Sequence, residues 1–509
     1  MEETQAISDN REFIVGQAQA KNLVLSPDAL DLLEKATKIE IEKTLDSLSE
    51  QNLFIIKGCD VESKLLRTKI APAEVEVKSR TAWTPIAKEY SANFRVRSDL
   101  QVPQDSICEG TVNDYVQMFQ SRFEFLSALL KNRSGFSPRP IGKLGENAAK
   151  RDVDFIGMVT DKWVTKKGHL AFRFEDLENQ CIALALKDKP EIVEKCQRIA
   201  LDEVVGLRGS KGFGDLIIIK EVLQPDLPIM PPKTISEPLS VCVISDIHAG
   251  SKLFLEKEFK RFLSWINGKV GGESEREAAG KIKYLYICGD NVDGIGVYPN
   301  QEKGLLIPTI AGQYEELEEL LLQIPEYIEI AMIPGQHDAV RWADPQPAIS
   351  KKYVPRLHAL SNFHLMPSPG WTQMEDMAVV QYHGASLHEL YGVVKNLSMT
   401  KPELAMVEIL KRRSFLTNFG SKQPYAPEKK DYSVMREAPD FYLGGDMHHY
   451  GTSQYRGCTV INGACFQSQT DFEVRMGHVP TPGIVAVIDL QNRQVKTKNM
   501  TDDTWETMP

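Results

Sequence analysis

Apolar positions repeat with helical spacing in two parts of the first 130 residues. Ser26 followed by Pro27 is typical of a helix start, because serine caps free amide groups and proline fits the first helical turn. Apolar residues at 30–36 would form one face of this helix, and a second amphipathic helix is predicted over 39–48. The 3.6-residue period over 112–130 predicts one long helix, whose aromatic face we interpret as core or interface.

Five shorter runs with a β-like pattern follow. They span residues 153–159, 170–174, 182–186, 203–207 and 216–222, and a predicted helix at 190–198 separates the third from the fourth. This order is typical of an OB-fold barrel, which often binds single-stranded nucleic acid or oligosaccharide. The basic and aromatic residues of this region could form a platform for DNA, or they could be ordinary hairpin and barrel residues, which is the interpretation that we prefer. These residues are Lys166, Lys167, His169, Phe172 and Arg173.

A proline-rich segment at 225–238 is typical of a stiff connector between domains. It leads us to predict a multidomain α+β protein with a domain boundary near residue 228. The predicted regions are a helical N-terminal module at 1–70, a connecting region with the long helix at 71–140, an OB-fold barrel at 141–228 and an α/β domain at 229–509.

In the last region, strand-like apolar runs lead repeatedly into short polar motifs. The runs lie at 239–244, 284–288, 328–333, 379–382 and 442–443. Ligand sites of open α/β sheets lie at the carboxyl ends of strands, so the side chains that follow these runs are expected to converge. One such motif would be a weak signal, whereas five predict a metal site formed by Asp246, His248, Asp290, Gln336, His383, Asp446 and His448, with His337 beside it.

The residue types suit a centre with two divalent ions. Two ions about 3.5–4 Å apart can activate a water molecule and hold the oxygens of a phosphate during in-line displacement. We predict that Asp290 bridges the ions. Imidazole, carboxylate and amide ligands without thiolate favour Mn²⁺, with Mg²⁺, Fe²⁺ or Zn²⁺ as alternatives. The other ligands form two sets, one for each ion: Asp246, His248 and His448, and Gln336, His383 and Asp446.

The remaining polar residues near these motifs receive other roles. We predict that His337 is catalytic rather than a ligand, protonating the leaving oxygen or orienting the phosphate. Asp293 and Asp338 would support ligating imidazoles or form turns. Arg341 would contact a phosphate or form a surface ion pair. Histidines without a motif are assigned structural roles: His358, His364, His388 and His478.

Composition restricts the environment and the partners. The net charge of −10 is unusual for a protein that grips DNA alone, so a partner or a local patch must supply positive charge. Eight cysteines without a C-x-x-C pair predict buried thiols in a reducing compartment. Neither a secretion signal nor an apolar run of about 18 residues is found, so we expect a cytoplasmic protein without a membrane partner.

The string D-x-H, G-D-x-x-D, G-Q-H-D, H-G and G-D-x-H resembles the motifs of the calcineurin-like metallophosphoesterase superfamily over residues 239–490. Residues 289–299 and 335–341 resemble the second and third motifs of the small subunits of archaeal family-D DNA polymerases. The order of helices, barrel and phosphoesterase domain is also similar to that family.

The resemblance implies a calcineurin-like phosphoesterase domain of layered β-sheets flanked by helices. It implies a 3′–5′ exonuclease, usually Mn²⁺-dependent, that removes mispaired primer ends while bound to the large polymerising subunit. Primer–template and single-stranded DNA would be its nucleic-acid partners in the archaeal cytoplasm, with the sliding clamp and primase reached through the complex.

The chain departs from the superfamily pattern at two positions. Gln336 stands where the superfamily has Asn, and Asp446 stands where it usually has His, so reach and charge change at the second ion. One alternative is a non-catalytic scaffold subunit, which the retained ligands disfavour. Another is a stand-alone metallophosphatase or nucleotide hydrolase, which would need neither the barrel nor the long N-terminal extension.

Overall fold

A computed structural model gives the architecture of the chain. It describes residues 83–145, 152–212, 216–416, 418–502 and 504–507, and, with gaps, residues 11–61. In this N-terminal part the helix Pro27–Leu33 (α1) begins after Ser26, as predicted, and Val24–Leu25 (β1) pairs in parallel with Ile55–Ile56 (β2). The second predicted helix, at 39–48, lies largely outside the described residues.

The long predicted helix is present as Val112–Lys131 (α2), and the strand Phe94–Val96 (β3) precedes it. A capping box starts α2, because Thr111 accepts a hydrogen bond from the amide of Asp114, whose carboxylate accepts one from the amide of Thr111. Its apolar face packs against the barrel that follows in the chain.

The barrel has the five strands and the helix that the sequence predicts. Its strands are Asp152–Val164 (β4), Leu170–Glu175 (β5), Gln180–Ala185 (β6), Val204–Lys211 (β7) and Ile217–Leu223 (β8), with helix Pro190–Gln197 (α3) before β7. The sheet closes in the order β4-β5-β6-β8-β7. Phe172 is completely buried in its core, so this ring cannot stack on DNA, which favours the structural interpretation of that residue.

Twelve further strands and seven helices are described after the barrel. The strands are Ser240–Ile244 (β9), Ile282–Cys288 (β10), Glu329–Ile333 (β11), Phe363–Leu365 (β12), Gly370–Met374 (β13), Met377–Gln381 (β14), Phe441–Gly444 (β15), Gly451–Tyr455 (β16), Cys458–Asn462 (β17), Ile484–Asp489 (β18), Val495–Asn499 (β19) and Trp505–Thr507 (β20). The helices are Glu256–Ile266 (α4), Glu273–Gly280 (α5), Ile310–Leu321 (α6), Pro355–His358 (α7), Leu387–Val393 (α8), Pro402–Arg412 (α9) and Asp471–Met476 (α10).

These strands form two stacked sheets between two helical layers. The first sheet has the order β12-β11-β10-β9-β18-β19-β20, and the second has the order β16-β17-β15-β14-β13-β3. Alternate residues of β9 point to opposite sides. Val241 and Val243 pack between the sheets, while Cys242 and Ile244 pack against the helices that cover the first sheet. Burial of both faces explains the continuous apolar runs of the parallel strands.

Residues upstream of the barrel complete the second sheet. Strand β3 pairs antiparallel with β13, with Val96 opposite Thr372. The sequence predicts that this segment belongs to the connecting region. It is instead part of the sheet, because it pairs with a strand that is far away in the chain. The proline-rich segment contacts the other edge of the second sheet, since Arg456, in the turn between β16 and β17, forms an ion pair with Asp226 at 2.9 Å and donates to the Leu227 carbonyl.

Buried ion pairs connect α2 and the barrel to the two-sheet domain. The guanidinium of Arg122 on α2 lies 2.5 Å from the carboxylate of Asp431. Arg412 on α9 contacts Glu408 at 2.7 Å and Glu203 of the barrel at 3.4 Å.

The seven described cysteines are free, and five of them are buried. No helix in the described part of the chain is both long and apolar enough to cross a bilayer.

Candidate metal centre

The carboxyl ends of five strands from both sheets meet at one edge of the sandwich. Strands β9, β10 and β11 of the first sheet and β14 and β15 of the second end immediately before the predicted motifs. The side chains that follow them come within a few ångströms of one another. All eight residues predicted from the sequence lie there: Asp246, His248, Asp290, Gln336, His337, His383, Asp446 and His448.

One group consists of Asp246, His248 and His448, whose ligand atoms all lie within 4.8 Å of one another. The Nε2 atoms of the two histidines are 3.0 Å apart, and His448 Nε2 is 3.3 Å from Asp246 Oδ1. This group coincides with the predicted ligand set of the first ion.

A second group forms around His383. Its Nε2 atom lies 3.2 Å from Asp290 Oδ2, 4.0 Å from Asp246 Oδ1 and 3.8 Å from Asp446 Oδ1. The Gln336 amide donates to the same Asp446 oxygen at 3.0 Å. Asp246 also belongs to the first group, and Asp290 lies 3.9 Å from His337, so each of these carboxylates lies near more than one imidazole.

Several buried atoms in this centre have no hydrogen-bond partner among the described residues. They include Asp246 Oδ1, Gln336 Oε1 and His383 Nε2. Buried polar atoms of folded proteins are nearly always paired, so such a cluster of unpaired acceptors and imidazole nitrogens requires an explanation. Divalent cations bind this combination of carboxylate, amide and imidazole atoms, so the residues present fit a metal centre.

The backbone of the centre adopts an uncommon conformation. Five of the candidate ligands have left-handed φ angles: Asp246 (51°), His248 (52°), Asp290 (46°), Asp446 (68°) and His448 (49°). Each such residue costs on the order of 1–3 kcal/mol and persists only where the surroundings enforce it. Glycines allow the close approach, because a Cβ at Gly335 would overlap Asp290 and one at Gly445 would overlap Ser245.

The charges in the centre stabilise one another. Burial opposes ionisation of Asp290, but the imidazoles of His383 and His337 outweigh it and hold the pKa of Asp290 well below its usual range. Burial likewise disfavours a charged His383, but Asp290 and then Asp246 raise the pKa of its imidazole well above the ordinary value. The centre therefore attracts positive charge.

Neighbouring groups fix the orientation of the histidine rings. The Nδ1 atom of His383 donates to the Cys288 carbonyl at 2.7 Å, and Nδ1 of His448 lies 3.0 Å from a Glu473 oxygen. Asp293 lies 3.2 Å from His248 Nδ1, which agrees with its predicted supporting role. In each ring the Nε2 atom is left facing the centre.

Asp338 fills the second of its two predicted roles. Its carboxylate accepts hydrogen bonds from the amides of Asn291 and Gly335 and from the Tyr314 hydroxyl, so it stabilises the turns that carry the ligands. Burial, followed by the charge of Asp290, raises the pKa of Asp338 to about 6.

His337 lies at the entrance of the centre with a 17% exposed side chain. Its amide donates to Asp290 Oδ1 at 2.8 Å, and its Nδ1 donates to the Asp293 carbonyl at 2.6 Å. Because a carbonyl can only accept, the proton is on Nδ1 in the neutral ring, and Nε2 lies 3.9 Å from Asp290 Oδ2.

For two residues, a position at the centre could not be predicted from the sequence. His388, which was assigned a structural role, lies 3.0 Å from Asp446, and Glu473 contacts His448. The capping-box spacing of Thr470 and Glu473 was a usable signal for a helix start but not for a ligand contact. For His388 the only signal was the unusual carboxylate at position 446.

The other residues singled out from the sequence lie away from the centre or pair elsewhere. Arg341 forms an ion pair with Glu428 at 2.7 Å, the second of its two predicted roles. His364 pairs with Glu329 at 2.8 Å, and His478 contacts the Met447 carbonyl at 2.7 Å. His358 is exposed on α7.

Two stacked sheets whose strand ends present these carboxylate, amide and imidazole atoms define an α+β protein with a candidate metal centre at one edge of its sheets. A family model for the B subunits of DNA polymerases alpha and epsilon matches residues 241–452. The chain is 37% identical over 432 residues to the DNA polymerase II small subunit of Methanocaldococcus jannaschii, a match that covers 85% of this chain and 72% of that protein. The chain belongs to the family of archaeal DNA polymerase II (family D) small subunits.

Further similarities extend along the chain. The DNA polymerase II small subunit of Thermoplasma acidophilum is 33% identical over 500 residues, which cover 96% of this chain and 93% of that protein. Among solved structures, an archaeal phosphodiesterase is 12% identical with a TM-score of 0.27 and covers 51% of this chain and 98% of its own. Vps29 of Entamoeba histolytica, solved with zinc, is 11% identical with a TM-score of 0.27, covering 53% of this chain and 97% of that one.

Proposed function

We propose that the chain is the 3′–5′ exonuclease subunit of an archaeal DNA polymerase II, hydrolysing phosphodiester bonds at mispaired primer 3′ ends. The observation that carries this proposal is the cluster of unpartnered Asp246 Oδ1, Gln336 Oε1 and His383 Nε2 atoms among the converging ligands. A scaffold subunit needs no such cluster. The names of the relatives support a second, polymerising subunit as the partner.

Asp290 would bridge two divalent ions, preferably Mn²⁺, with each ion completed by one ligand set: Asp246, His248 and His448, or Gln336, His383 and Asp446. When bound, the ions would supply a water-derived nucleophile and charge neutralisation at the phosphate. Glu473 and Asp293 keep the Nδ1 atoms of two ligating rings engaged, which aims their Nε2 atoms at the ions.

His337 would act directly on the scissile bond. Its Nδ1 hydrogen bond to the Asp293 carbonyl fixes the ring, and Nε2 lies 3.9 Å from Asp290 Oδ2, next to the candidate ligands. From there it can orient the phosphate or deliver a proton to the leaving 3′ oxygen. Its partial exposure leaves room for a nucleotide to approach.

We further propose that the five-stranded barrel is an OB fold that serves mainly as an interaction module. Its order of strands and the position of α3 support this assignment. With a net charge of −10, the chain would rely on the large subunit for much of its hold on primer–template and single-stranded DNA. Contacts with the sliding clamp or primase would be made through that complex in the archaeal cytoplasm.

Hydrolysis of a primer–template with a mispaired 3′ end, in Mn²⁺ and with products sized on a gel, tests this proposal. The wild-type chain should shorten the primer stepwise from its 3′ end, and Asp290→Asn should lower the rate at least about 10²-fold. Asp188→Asn, on an exposed turn of the barrel, is the matched control and should be fully active.

The assay should be run with the chain alone and with the large subunit. If the wild type cleaves under neither condition while both variants fold, the chain is the scaffold subunit and the proposal is wrong. Stepwise shortening that persists in Asp290→Asn would contradict the assignment of the centre.

A further inference from the structure

His388 lies beside the candidate metal centre although no motif includes it. It occupies the first turn of α8, and its Nε2 atom is 3.0 Å from Asp446 Oδ2. The chain between His383 and His388 packs tightly here, since a Cβ on Gly384 would lie 3.1 Å from the Asp446 Cβ. The contact therefore results from the close approach of two strand-end loops.

The two carboxylate oxygens of Asp446 face different neighbours. Oδ1 accepts a hydrogen bond from Gln336 at 3.0 Å and lies 3.8 Å from His383 Nε2, on the side of the second ligand group. Oδ2 faces His388 instead. The hydrogen bond from Gln336 to Oδ1 and the approach of His388 to within 3.0 Å of Oδ2 together restrict the rotation of the carboxylate about its Cβ–Cγ bond.

A carboxylate at position 446 creates a requirement that an imidazole would not. Asp446 stands with Asp246 and Asp290 around the same small space, so the side chain adds negative charge where two carboxylates already lie. A carboxylate that is free to rotate would offer either oxygen, at different distances, to an ion. A hydrogen-bond donor on one oxygen removes this freedom.

We propose that His388 is a positioning residue for the second ion: it holds Asp446 Oδ2 so that Oδ1 points at that ion. This inference rests on the metal centre of the proposed function and assigns His388 no contact with the ion. The contact requires only the N–H group of the ring.

Titration of the full-length, metal-free chain with MnCl₂ by calorimetry measures each ion separately from activity. The wild type should bind two ions. His388→Ala should weaken one site about 10- to 100-fold and leave the other unchanged, as is typical when a group supporting a metal ligand is removed. His388→Gln should retain much of the affinity, because its amide can donate to the same oxygen.

His364→Ala is the matched control, since His364 on β12 also pairs with a carboxylate, Glu329, but at the start of β11, the end of that strand away from the centre. It should bind both ions as the wild type does. Thermal unfolding should show that all variants fold. Nuclease activity of His388→Ala should recover as Mn²⁺ is raised, whereas loss of a substrate contact would not be restored in this way.

The outcomes separate this inference from the proposed function. If the wild type binds no Mn²⁺, the metal centre itself is wrong and the inference falls with it. If the wild type binds two ions and folded His388→Ala binds both equally well, only the role of His388 is overturned. Equal weakening of both ions, or a raised KM with normal metal binding, would also overturn it.

Discussion

Single residues at the candidate centre combine strained backbone with unpaired polar atoms. Asp246 has both features, a left-handed φ and a buried Oδ1 without a hydrogen-bond partner among the described residues. Either feature alone would lower the stability of the apo chain. Together they indicate that the surrounding sheets hold the side chains in place for a ligand rather than for stability.

Replacement of His337 by alanine should separate chemistry from metal binding. The hydrogen bond to Asp290 comes from the backbone amide of His337, which alanine keeps, and the ring Nε2 atom is 3.9 Å from Asp290 Oδ2, so the variant should retain both ions. Turnover of mispaired primer ends should fall about 10²- to 10⁴-fold, as for loss of a general acid. Metal content by mass spectrometry and single-turnover kinetics measure the two effects, with Asp290→Ala for comparison. A loss of metal as large as that of Asp290→Ala would refute the assignment.

Asp344 should make stability depend on pH. This carboxylate is 2% exposed and accepts hydrogen bonds from Tyr382 at 2.9 Å and Gln423 at 3.0 Å. Burial raises its pKa to about 7 despite the opposing Tyr382 hydrogen bond. The folded state therefore binds a proton more tightly than the unfolded state, so the free energy of unfolding should fall as pH rises from about 4 to about 7.

Urea unfolding in EDTA at pH 5 and pH 8 tests this expectation. Between these values the free energy of unfolding of the wild type should decrease by on the order of 2–4 kcal/mol. Asp344→Asn should not show this decrease. Asp376→Asn, whose side chain is exposed in the β13–β14 turn, should leave the decrease intact. An identical pH dependence in wild type and Asp344→Asn would exclude Asp344 as its source.

The limits of sequence-based prediction are clear at this scale. The eight site residues could be predicted because each motif directly follows its own strand. The motifs alone do not determine whether Asp246 or Asp290 would bridge the ions, since both lie close to His383. The role of His388 could not be predicted, because its partner Asp446 is brought to it only by packing of the second sheet.

Secondary-structure elements followed the sequence pattern closely where the pattern is local. The barrel strands and α2 begin and end within a few residues of the predicted positions, because side-chain alternation and helical periodicity are properties of short segments. Strand β3 shows what local patterns omit. Its partner β13 is far away in the chain, so its place in the second sheet depends on long-range pairing.

The ion pair that connects α2 with the two-sheet domain gives a prediction at this scale. Arg122 and Asp431 are 1% and 3% exposed, so Arg122→Met would leave a buried carboxylate without its cation. We expect a loss of about 3–5 kcal/mol in the free energy of unfolding. Arg122→Met combined with Asp431→Leu should recover most of it, because the uncompensated charge is then removed. Chemical denaturation of both variants provides the measurement, and equal destabilisation by both would show that the pair acts through its hydrogen bonds instead.

At the scale of the whole molecule, the two-sheet domain is discontinuous in sequence. Its last edge strand, β3, precedes the barrel, whereas the rest of the domain follows the proline-rich segment. The predicted boundary near residue 228 therefore separates segments that fold together. Exposed sheet edges readily pair with other chains, so β3 also protects the backbone of β13.

Truncation tests this organisation. A fragment covering 229–509 should aggregate at micromolar concentration, because its second sheet lacks β3 and the edge of β13 is open. A fragment covering 83–509 keeps that strand and should remain monodisperse in light scattering and size-exclusion chromatography. Comparable solubility of the two fragments would show that β3 is dispensable for the sheet.

The pairing of β3 also has to wait for synthesis of a distant part of the chain. Arg95 and its hydrogen-bond partner Gln373 are separated by 278 residues. At typical elongation rates of about 5–20 residues per second, the ribosome needs on the order of tens of seconds to deliver β13 after β3 has emerged. The barrel can close during this interval, whereas β3 has to wait, unpaired, for a partner that has not yet been made. Strand β3 can therefore mispair while the chain is still on the ribosome. Slower translation between β12 and β13 would lengthen this period.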